Sequence, residues 1–166
     1  MIIFLTGFMA SGKTTHGKKL AKILNYDFFD TDKCIEQQEQ INISEIFQKE
    51  GEEYFRKVER KILRQLVDNN NDAVIATGGG TPCFYDNMEF MNQNGLTVFL
   101  KLDFKTIYNR LLHSKKIRPL ANNILNKHQL HELYNFRLKF YEQSRIKIDA
   151  LGIDGNKIYD YIKYYL

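Results

Sequence analysis

The chain has 166 residues, of which 43% are hydrophobic and 27% are charged, and its formal net charge at pH 7 is +4. These values predict one globular domain with a hydrophobic core, and the charge is too small to indicate nucleic-acid binding by itself. No apolar run reaches the length of a membrane span, so we expect no membrane association. Cys34 and Cys83 do not form a Cys-x-x-Cys unit, and without a secretory signal pattern they favour a cytoplasmic location.

Near the N-terminus, a phosphate-binding motif stands between a predicted strand and a predicted helix. Residues 7–14 read GFMASGKT and fit the P-loop pattern G-x-x-x-x-G-K-[ST]. The apolar run 1–6 precedes the motif, and small or apolar residues recur at helical spacing from Gly17 to Leu24. In a P-loop the backbone N–H groups bind phosphate oxygens, the lysine contacts the outer phosphates, and the hydroxyl ligates Mg²⁺. We therefore predict a nucleoside-triphosphate site formed by Gly7, Ala10, Ser11, Gly12, Lys13, Thr14 and Thr15.

Two carboxylates follow the second predicted strand. Residues 26–30 form a short strand pattern that leads into Asp30-Thr31-Asp32. Because ligands of open α/β sheets bind beyond the carboxyl ends of the strands, Asp30 and Asp32 are placed to bind Mg²⁺ or a substrate hydroxyl. The alternative is that Asp30 or Thr31 only caps a helix over residues 33–40. For two carboxylates close to a P-loop, we favour the functional interpretation.

A charged amphipathic helix comes next, after a short helical pattern around residues 43–47. The apolar face of this helix is marked by Phe55, Val58, Ile62 and Leu66. Its remaining surface carries the cations Arg56, Lys57, Arg60, Lys61 and Arg64. Most of these cations are expected to be solvated, and periodicity does not distinguish Arg56 from Arg60.

Three glycines follow the third predicted strand. The run 73–77 is apolar without alternation, which is typical of a central parallel strand covered on both faces. It continues into Gly78, Gly79 and Gly80, where the absence of side chains would let a ligand approach the backbone closely. A flexible turn is the alternative, but three glycines at the carboxyl end of a strand favour a binding site.

The C-terminal half of the chain predicts further helices and strands and one basic segment. In order, the patterns indicate a helix over 87–94, a strand over 96–100, a helix from near Asp103, a long helix over about 130–141, a strand over 146–149 and a C-terminal amphipathic helix. Residues 113–120 are basic and contain Pro119, and we predict a lid at about 113–125 that closes over the nucleotide. An ordinary solvated loop is the alternative. His128 and His131 lack accompanying ligands and are expected to be surface residues rather than a metal site.

The alternation of five predicted strands with helices indicates the fold class. We expect an α/β fold with a five-stranded parallel sheet flanked by helices and joined by right-handed crossovers. A GTPase would need an Asn-Lys-x-Asp motif, and neither Asn126-Lys127 nor Asn156-Lys157 is followed by that aspartate. A motor or AAA-type ATPase would need a longer chain and an acidic pair after an apolar strand, where this chain has glycines. A kinase for a small molecule remains.

Taken together, these motifs resemble the shikimate kinases over nearly the whole chain. The resemblance rests on the P-loop, Asp30-Thr31-Asp32, Phe55-Arg56, Gly78-Gly79-Gly80, Arg118-Pro119-Leu120, and Arg137 followed by Phe140-Tyr141. It implies a single P-loop kinase domain over residues 1–166, with a mobile lid at about 113–125 and acceptor-binding helices at about 31–68. The implied reaction is ATP-dependent phosphorylation of the 3-hydroxyl of shikimate, in the biosynthesis of chorismate and aromatic amino acids.

The resemblance also implies roles for individual residues. Lys13 and Thr14 would act at the γ-phosphate and at Mg²⁺, with Asp30 supporting the metal through water. Asp32 would hold the attacking hydroxyl, which makes it a catalytic residue together with Lys13 and Arg118. The other implied contacts are those of Arg56 and Arg137 with the shikimate carboxylate, of the Gly78, Gly79 and Gly80 backbone with the substrate, of Arg118 with the phosphates, and of Arg110 with adenine. Ala10 departs from the pattern, because the family usually has glycine at that position.

Other functions share the same sequence features. One is a kinase for another small polyol acid, such as gluconate, or for a nucleotide. Another is a nucleotide-binding regulatory module without turnover. For the shikimate kinase interpretation, the expected partners are ATP and shikimate with Mg²⁺ as cofactor, without nucleic acid or membrane, and the protein is expected to be a monomer.

Overall fold

A five-stranded parallel sheet forms the centre of the computed structural model, which describes residues 1–113 and 126–166. The strands are β1 (Ile2–Thr6), β2 (Asp27–Asp30), β3 (Ala73–Ala76), β4 (Leu96–Lys101) and β5 (Ile146–Asp149). Their spatial order is β2-β3-β1-β4-β5, and every neighbouring pair is parallel. The predicted fold class, an α/β fold with a five-stranded parallel sheet flanked by helices, is confirmed. Residues 114–125, which include Arg118 and nearly all of the predicted lid, lie outside the described residues.

Helices connect the strands and cover the sheet. They are α1 (Lys13–Leu24), α2 (Thr31–Glu39), α3 (Ile43–Lys49), α4 (Gly51–Asp68), α5 (Asn87–Asn94), α6 (Phe104–Leu112), α7 (Lys127–Tyr141) and α8 (Gly155–Ile162), with a short 3-10 helix at Thr81–Cys83. Capping boxes begin two of them, with Asn42 before α3 and Asn126 before α7. Within the described ranges, no helix combines the length and the apolarity that a membrane span requires.

The hydrophobic core lies on both faces of the sheet. On one face, Leu20 and Ala21 of α1 pack with Ile158 and Ile162 of α8 against the central strands. On the other face, Leu63 of α4 packs with methionines of α5. Strands β1 and β3 are therefore buried along their whole length, which explains why their sequences are continuous apolar runs.

Strand register brings three functional segments to one edge of the sheet. Leu5 of β1 and Asp30 of β2 are both aligned with Ala76 of β3. The segments that follow these positions are the P-loop, the Asp30–Asp32 segment and the glycine turn, and they therefore leave the sheet side by side. Such a row of carboxyl ends is where open α/β sheets bind their ligands.

Helix α1 packs unusually closely on this edge of the sheet. A Cβ atom on Gly17 would lie 2.6 Å from a ring carbon of Phe28 and 3.1 Å from a methyl carbon of Leu5. An added methyl group at this position would require the Phe28 ring, the Leu5 side chain or the helix itself to shift. Gly17 therefore allows close contact between the helix that follows the P-loop and the strands that carry the site.

We expect Gly17→Ala to lower the free energy of unfolding by about 1–3 kcal/mol, because an added methyl group overpacks this contact. Urea unfolding followed by circular dichroism measures the change. The control is Lys18→Ala at the exposed neighbouring position, which should stay within about 0.5 kcal/mol of wild type. Equal unfolding midpoints for Gly17→Ala and wild type would contradict the close packing.

Candidate active site

A cavity of about 970 Å³ opens at the carboxyl ends of β1, β2 and β3. The predicted site residues that line it are Ala10, Gly12, Lys13, Thr14, Thr15, Asp30, Asp32, Arg56, Gly78, Gly79, Gly80, Arg110 and Arg137. Gly7 and Ser11 belong to the same loop but do not line the cavity, and Arg118 lies outside the described residues. Predicted residues from six separate stretches of the sequence thus converge on one space.

The P-loop has a backbone that suits an anion cradle. Gly7 and Gly12 have φ values of 140° and 95°, a range that favours glycine. Ala10, at the position where the resemblance predicts glycine, also has a positive φ, 63°. The left-handed region costs an ordinary residue about 1–2 kcal/mol, so the loop keeps its shape here in spite of the Cβ atom. Ala10 also accepts a hydrogen bond at its carbonyl from Nη1 of Arg110, at 3.0 Å.

Lys13 lies folded back over the loop. Its ammonium group donates to the carbonyls of Gly7 and Phe8 at 2.8 and 2.9 Å, and its side chain is buried. This geometry holds a positive charge at the centre of the loop. Ser11, in the same loop, is fully buried, and its hydroxyl has no hydrogen-bond partner among the described residues. Thr15, by contrast, is exposed and lines the cavity.

Thr14 and Asp30 form a hydrogen-bonded pair at the start of α1. The Thr14 hydroxyl donates to Oδ2 of Asp30 at 2.7 Å. Asp30 does occupy the N-cap position of α2, but its side chain makes no capping hydrogen bond. Asp30 therefore stands at the capping position, but its side chain binds Thr14 instead of capping the helix. Helix α2 also begins at Thr31, two residues before the predicted start.

Asp32 is the carboxylate whose chemistry the site changes most. Burial raises its pKa to about 7, with further contributions from the nearby carboxylates of Asp30 and Glu59, while the ammonium group of Lys13 acts in the opposite direction. The side chain is only partly exposed, and its Oδ1 would lie 2.7 Å from a Cβ atom on Gly78. Asp32 can therefore exchange a proton near neutral pH, beside the glycine turn.

Arg56 is buried, in contrast to Arg60 four residues later. Its side chain is 5% exposed and that of Arg60 is 44% exposed. The Arg56 guanidinium donates to Glu59 at 2.9 Å and to Glu52 at 3.0 Å, and it lies over the ring of Phe84 at 3.9 Å. The structure thus distinguishes two arginines by their burial, which helical periodicity could not do.

Arg137 approaches the glycine turn from helix α7. It is buried, its guanidinium lies 5.6 Å from the ring centre of Phe8, and no carboxylate of the described residues forms a salt bridge with it. A Cβ atom on Gly79 would lie 3.3 Å from Nη1 of Arg137, and one on Gly80 would lie 2.7 Å from both terminal nitrogens of Arg56. The absence of side chains at these glycines makes room for two guanidinium groups.

Glu59 is a functional candidate that the sequence analysis missed. It is 1% exposed, and its second oxygen accepts a hydrogen bond from the Thr81 hydroxyl at 2.6 Å. Its position four residues after Phe55 places a carboxylate on the apolar face of α4, and that violation of the pattern was the available signal. Two buried threonines that contact this region give no such signal: Thr31 of α2 accepts from the backbone N–H of Gly78 at 2.8 Å, and Thr81 donates to Glu59.

The described residues contain no group of three or more His, Cys, Asp or Glu side chains that could hold a metal ion by themselves. His128 is strongly exposed and lies near Glu132, and the ring of His131 packs 4.5 Å from that of Phe104. Neither histidine lines the cavity.

The raised pKa of Asp32 predicts a pH-dependent stability for the ligand-free protein. An Asp that titrates near 3.8 when unfolded and near 7 when folded stabilises the fold below about pH 4 and loses that contribution as the pH rises through 7. Asp32→Asn does not titrate, so its stability relative to wild type should grow from pH 4 to pH 8, by up to about 4 kcal/mol.

Urea unfolding at a series of pH values, without nucleotide or metal, measures this difference. Asp68→Asn, at an exposed position of α4, is the matched control and should show little pH-dependent difference from wild type. A constant difference between Asp32→Asn and wild type at pH 4 and pH 8 would contradict the raised pKa.

Comparison with known proteins identifies the family. The family model described as shikimate kinase matches residues 9–163. A shikimate kinase from Azobacteroides pseudotrichonymphae is 49% identical over 121 residues, which cover 73% of this chain and 71% of that protein. Two solved structures of shikimate kinases each superpose with a TM-score of 0.85 over 99% of this chain. The one from Bacteroides thetaiotaomicron is 38% identical over 96% of its own chain, and the one from Acinetobacter baumannii, in complex with shikimate, is 31% identical over 91%. The chain therefore belongs to the shikimate kinase family.

Proposed function

We propose that this protein transfers the γ-phosphoryl group of ATP to the 3-hydroxyl of shikimate, on the route to chorismate and the aromatic amino acids. The observation that carries the proposal is the pair of buried guanidinium groups, Arg56 and Arg137, that converge from two helices on the glycine turn. They share a cavity with a P-loop and with Asp32. An acceptor for this cavity must combine a carboxylate with a hydroxyl group, and shikimate does so.

The two arginines would bind the carboxylate of the acceptor. Planar guanidinium groups bind a carboxylate through paired hydrogen bonds, and burial strengthens such contacts. The charge of Arg56 is already shared with Glu52 and Glu59, whereas Arg137 has no salt bridge to a described carboxylate. Because a buried cation is costly without a counter-ion, Arg137 supplies the larger part of the attraction for an incoming anion.

Asp32 would orient the attacking hydroxyl and accept its proton. A general base works best when its pKa lies near the working pH, and the pKa of Asp32 is about 7. Bound phosphates and the carboxylate of the acceptor would add negative charge nearby, while Lys13 favours the ionised form. Transfer of a phosphoryl group depends mainly on such positioning and on stabilisation of charge.

The P-loop would bind the phosphates of ATP, with Lys13 as the positive charge at the group that is transferred. Arg110 is placed at the outer side of this loop through its contact with Ala10, where we propose that it contacts adenine. From outside the described residues, Arg118 is proposed to reach the phosphates from the lid. Phosphoryl transfer to shikimate then takes place between the loop and the glycine turn.

Mg²⁺ fits the oxygen donors at the start of α1. The Thr14 hydroxyl and the Asp30 carboxylate lie within 2.7 Å of each other, and magnesium prefers oxygen ligands. The described residues contain no group of three or more His, Cys, Asp or Glu side chains that could hold the ion alone. Phosphate oxygens and water would therefore complete the coordination of Mg²⁺. When bound, the ion neutralises charge on the phosphates. Thr14 would be its direct ligand, and Asp30 would act through water.

The proposal extends to the organisation of the protein. We propose one kinase domain over residues 1–166, with acceptor-binding helices at about 31–68 and a lid at about 113–125. We also propose that the protein acts as a monomer. Cys34 and Cys83 are free thiols, as expected in the cytoplasm, where ATP is available.

An assay of ADP release coupled to NADH oxidation tests the activity directly. Shikimate should support turnover, and gluconate and nucleoside monophosphates should not. Lys13→Ala should abolish turnover while its circular dichroism spectrum stays that of wild type, because the charge of Lys13 acts on the phosphoryl group in transfer. Turnover with gluconate or a nucleotide but not with shikimate, or near-normal kcat for Lys13→Ala, would overturn the proposal.

Substitution of the two buried arginines tests the carboxylate site. Arg137→Ala should weaken shikimate binding about tenfold to a hundredfold, since a hydrogen bond to a charged group contributes about 1.5–3 kcal/mol. For Arg56 the better variant is Arg56→Lys, because Arg56→Ala would leave the buried Glu59 without its partner, at a cost of about 3–5 kcal/mol in stability. Isothermal titration with shikimate and with an ATP analogue measures both affinities.

Arg60→Ala is the matched control on the same helix, and it should change neither affinity appreciably. A shikimate analogue with its carboxylate reduced to an alcohol should bind wild type poorly, and Arg137→Ala should weaken it little further, as expected for a direct contact. Equal losses for acid and alcohol in Arg137→Ala, or a loss for Arg60→Ala as large as that for Arg137→Ala, would contradict the proposed contact.

A further inference from the structure

We infer that Tyr141 is a positioning residue for the acceptor: its hydroxyl holds the carbonyl of Gly79 and thereby orients the backbone N–H of Gly80 toward the acceptor carboxylate. The inference rests on the proposed function and adds to it a residue that lies behind the cavity rather than in it. Tyr141 is the last residue of α7 and does not line the cavity.

The ring of Tyr141 is fully buried in the core. The residue is 0% exposed, and its ring lies 5.2 Å from the ring of Phe99 on strand β4. Its hydroxyl donates a hydrogen bond to the carbonyl of Gly79. Burial raises the pKa of this phenol, so the hydroxyl stays protonated and remains a donor at physiological pH.

The glycine turn needs such an anchor, because glycine has no Cβ atom to restrict its backbone. The N–H of Gly78 is bound by the Thr31 hydroxyl, and the carbonyls of Gly78 and Gly80 accept from the backbone N–H groups of Thr81 and Cys83. The carbonyl of Gly79 is bound by Tyr141. Each peptide of the turn is thus fixed by a different partner.

The peptide between Gly79 and Gly80 is planar and trans, so its C=O and N–H point in opposite directions. With the carbonyl directed at Tyr141, the N–H of Gly80 points away from the core. This N–H donates to no described residue, and the terminal nitrogens of Arg56 lie 2.7 Å from the position that a Cβ atom on Gly80 would take. An anion held by Arg56 is therefore beside a backbone donor whose direction Tyr141 sets.

Arg137 is part of the same arrangement. It precedes Tyr141 by one helical turn, and its side chain interacts with the Tyr141 hydroxyl. Its Nη1 also lies near the open side of Gly79. One hydroxyl group therefore fixes the relative position of a guanidinium and a backbone N–H that face the same substrate group.

Tyr141→Phe removes only the hydroxyl and tests this inference. The chain offers a matched control in Tyr134, seven residues earlier on the same helix, which is also buried and whose hydroxyl donates to the carbonyl of Leu102 at 2.8 Å, away from the cavity. Both variants lose one buried hydrogen bond to a backbone carbonyl, so both should unfold at slightly lower urea concentration. Only Tyr141→Phe should raise the KM and Kd for shikimate, by about three- to tenfold, with little change in kcat or in ATP affinity.

The reduced, alcohol form of shikimate separates positioning of the carboxylate donor from a general weakening of the fold. Tyr141→Phe should lose affinity for shikimate and not for this alcohol. Equal shikimate affinities in Tyr141→Phe and Tyr134→Phe, with an active wild type, would overturn the role of Tyr141 alone. A wild type without activity on shikimate would overturn the proposed function and this role together.

Discussion

A buried ion pair within helix α4, Glu59 with Arg56 at 2.9 Å, lies where the elements of the site meet. Two charges in the interior are costly unless their hydrogen-bonding groups are satisfied, and here Glu59 also accepts from Thr81 while Arg56 also donates to Glu52. Through the Thr81 hydrogen bond, Glu59 holds helix α4 against the segment that follows β3. Burial is the main cause of the raised pKa of Asp32, and the Asp30 and Glu59 carboxylates add to it, so Glu59 contributes to both the architecture and the chemistry of the cavity.

The strands of the fold could be predicted well from sequence because burial on both faces leaves a simple pattern. The apolar runs of β1, β3 and β4 have no alternation, and glycines or polar turns bound them. The spatial order β2-β3-β1-β4-β5 is not contained in that pattern, since it depends on contacts between distant segments. The start of α2 was predicted two residues late, because the polar Thr31 and Asp32 carry no apolar periodicity.

The residues of the site could be predicted from sequence only where they belong to a recognisable motif. The P-loop residues and the glycine turn stand out locally, and the structure brings them to one cavity. Arg56 and Arg60 look alike in sequence, and only packing makes one buried and the other exposed. The pKa of Asp32 depends on neighbours from three different segments, so it could not be read from the chain. Glu59 was detectable as a carboxylate on an apolar face, but its partner on the neighbouring turn was not.

The order of the helices and strands along the chain affects how the acceptor specificity could be exchanged. Helices α2, α3 and α4 form one continuous stretch between β2 and β3, two strands that are neighbours in the sheet. A graft of residues 31–68 therefore has both ends on adjacent strands and leaves the P-loop and the strand order untouched. Arg137, on α7, and the glycine turn lie outside such a graft. Replacing this one segment could therefore change the specificity only toward acceptors that still present a carboxylate to Arg137.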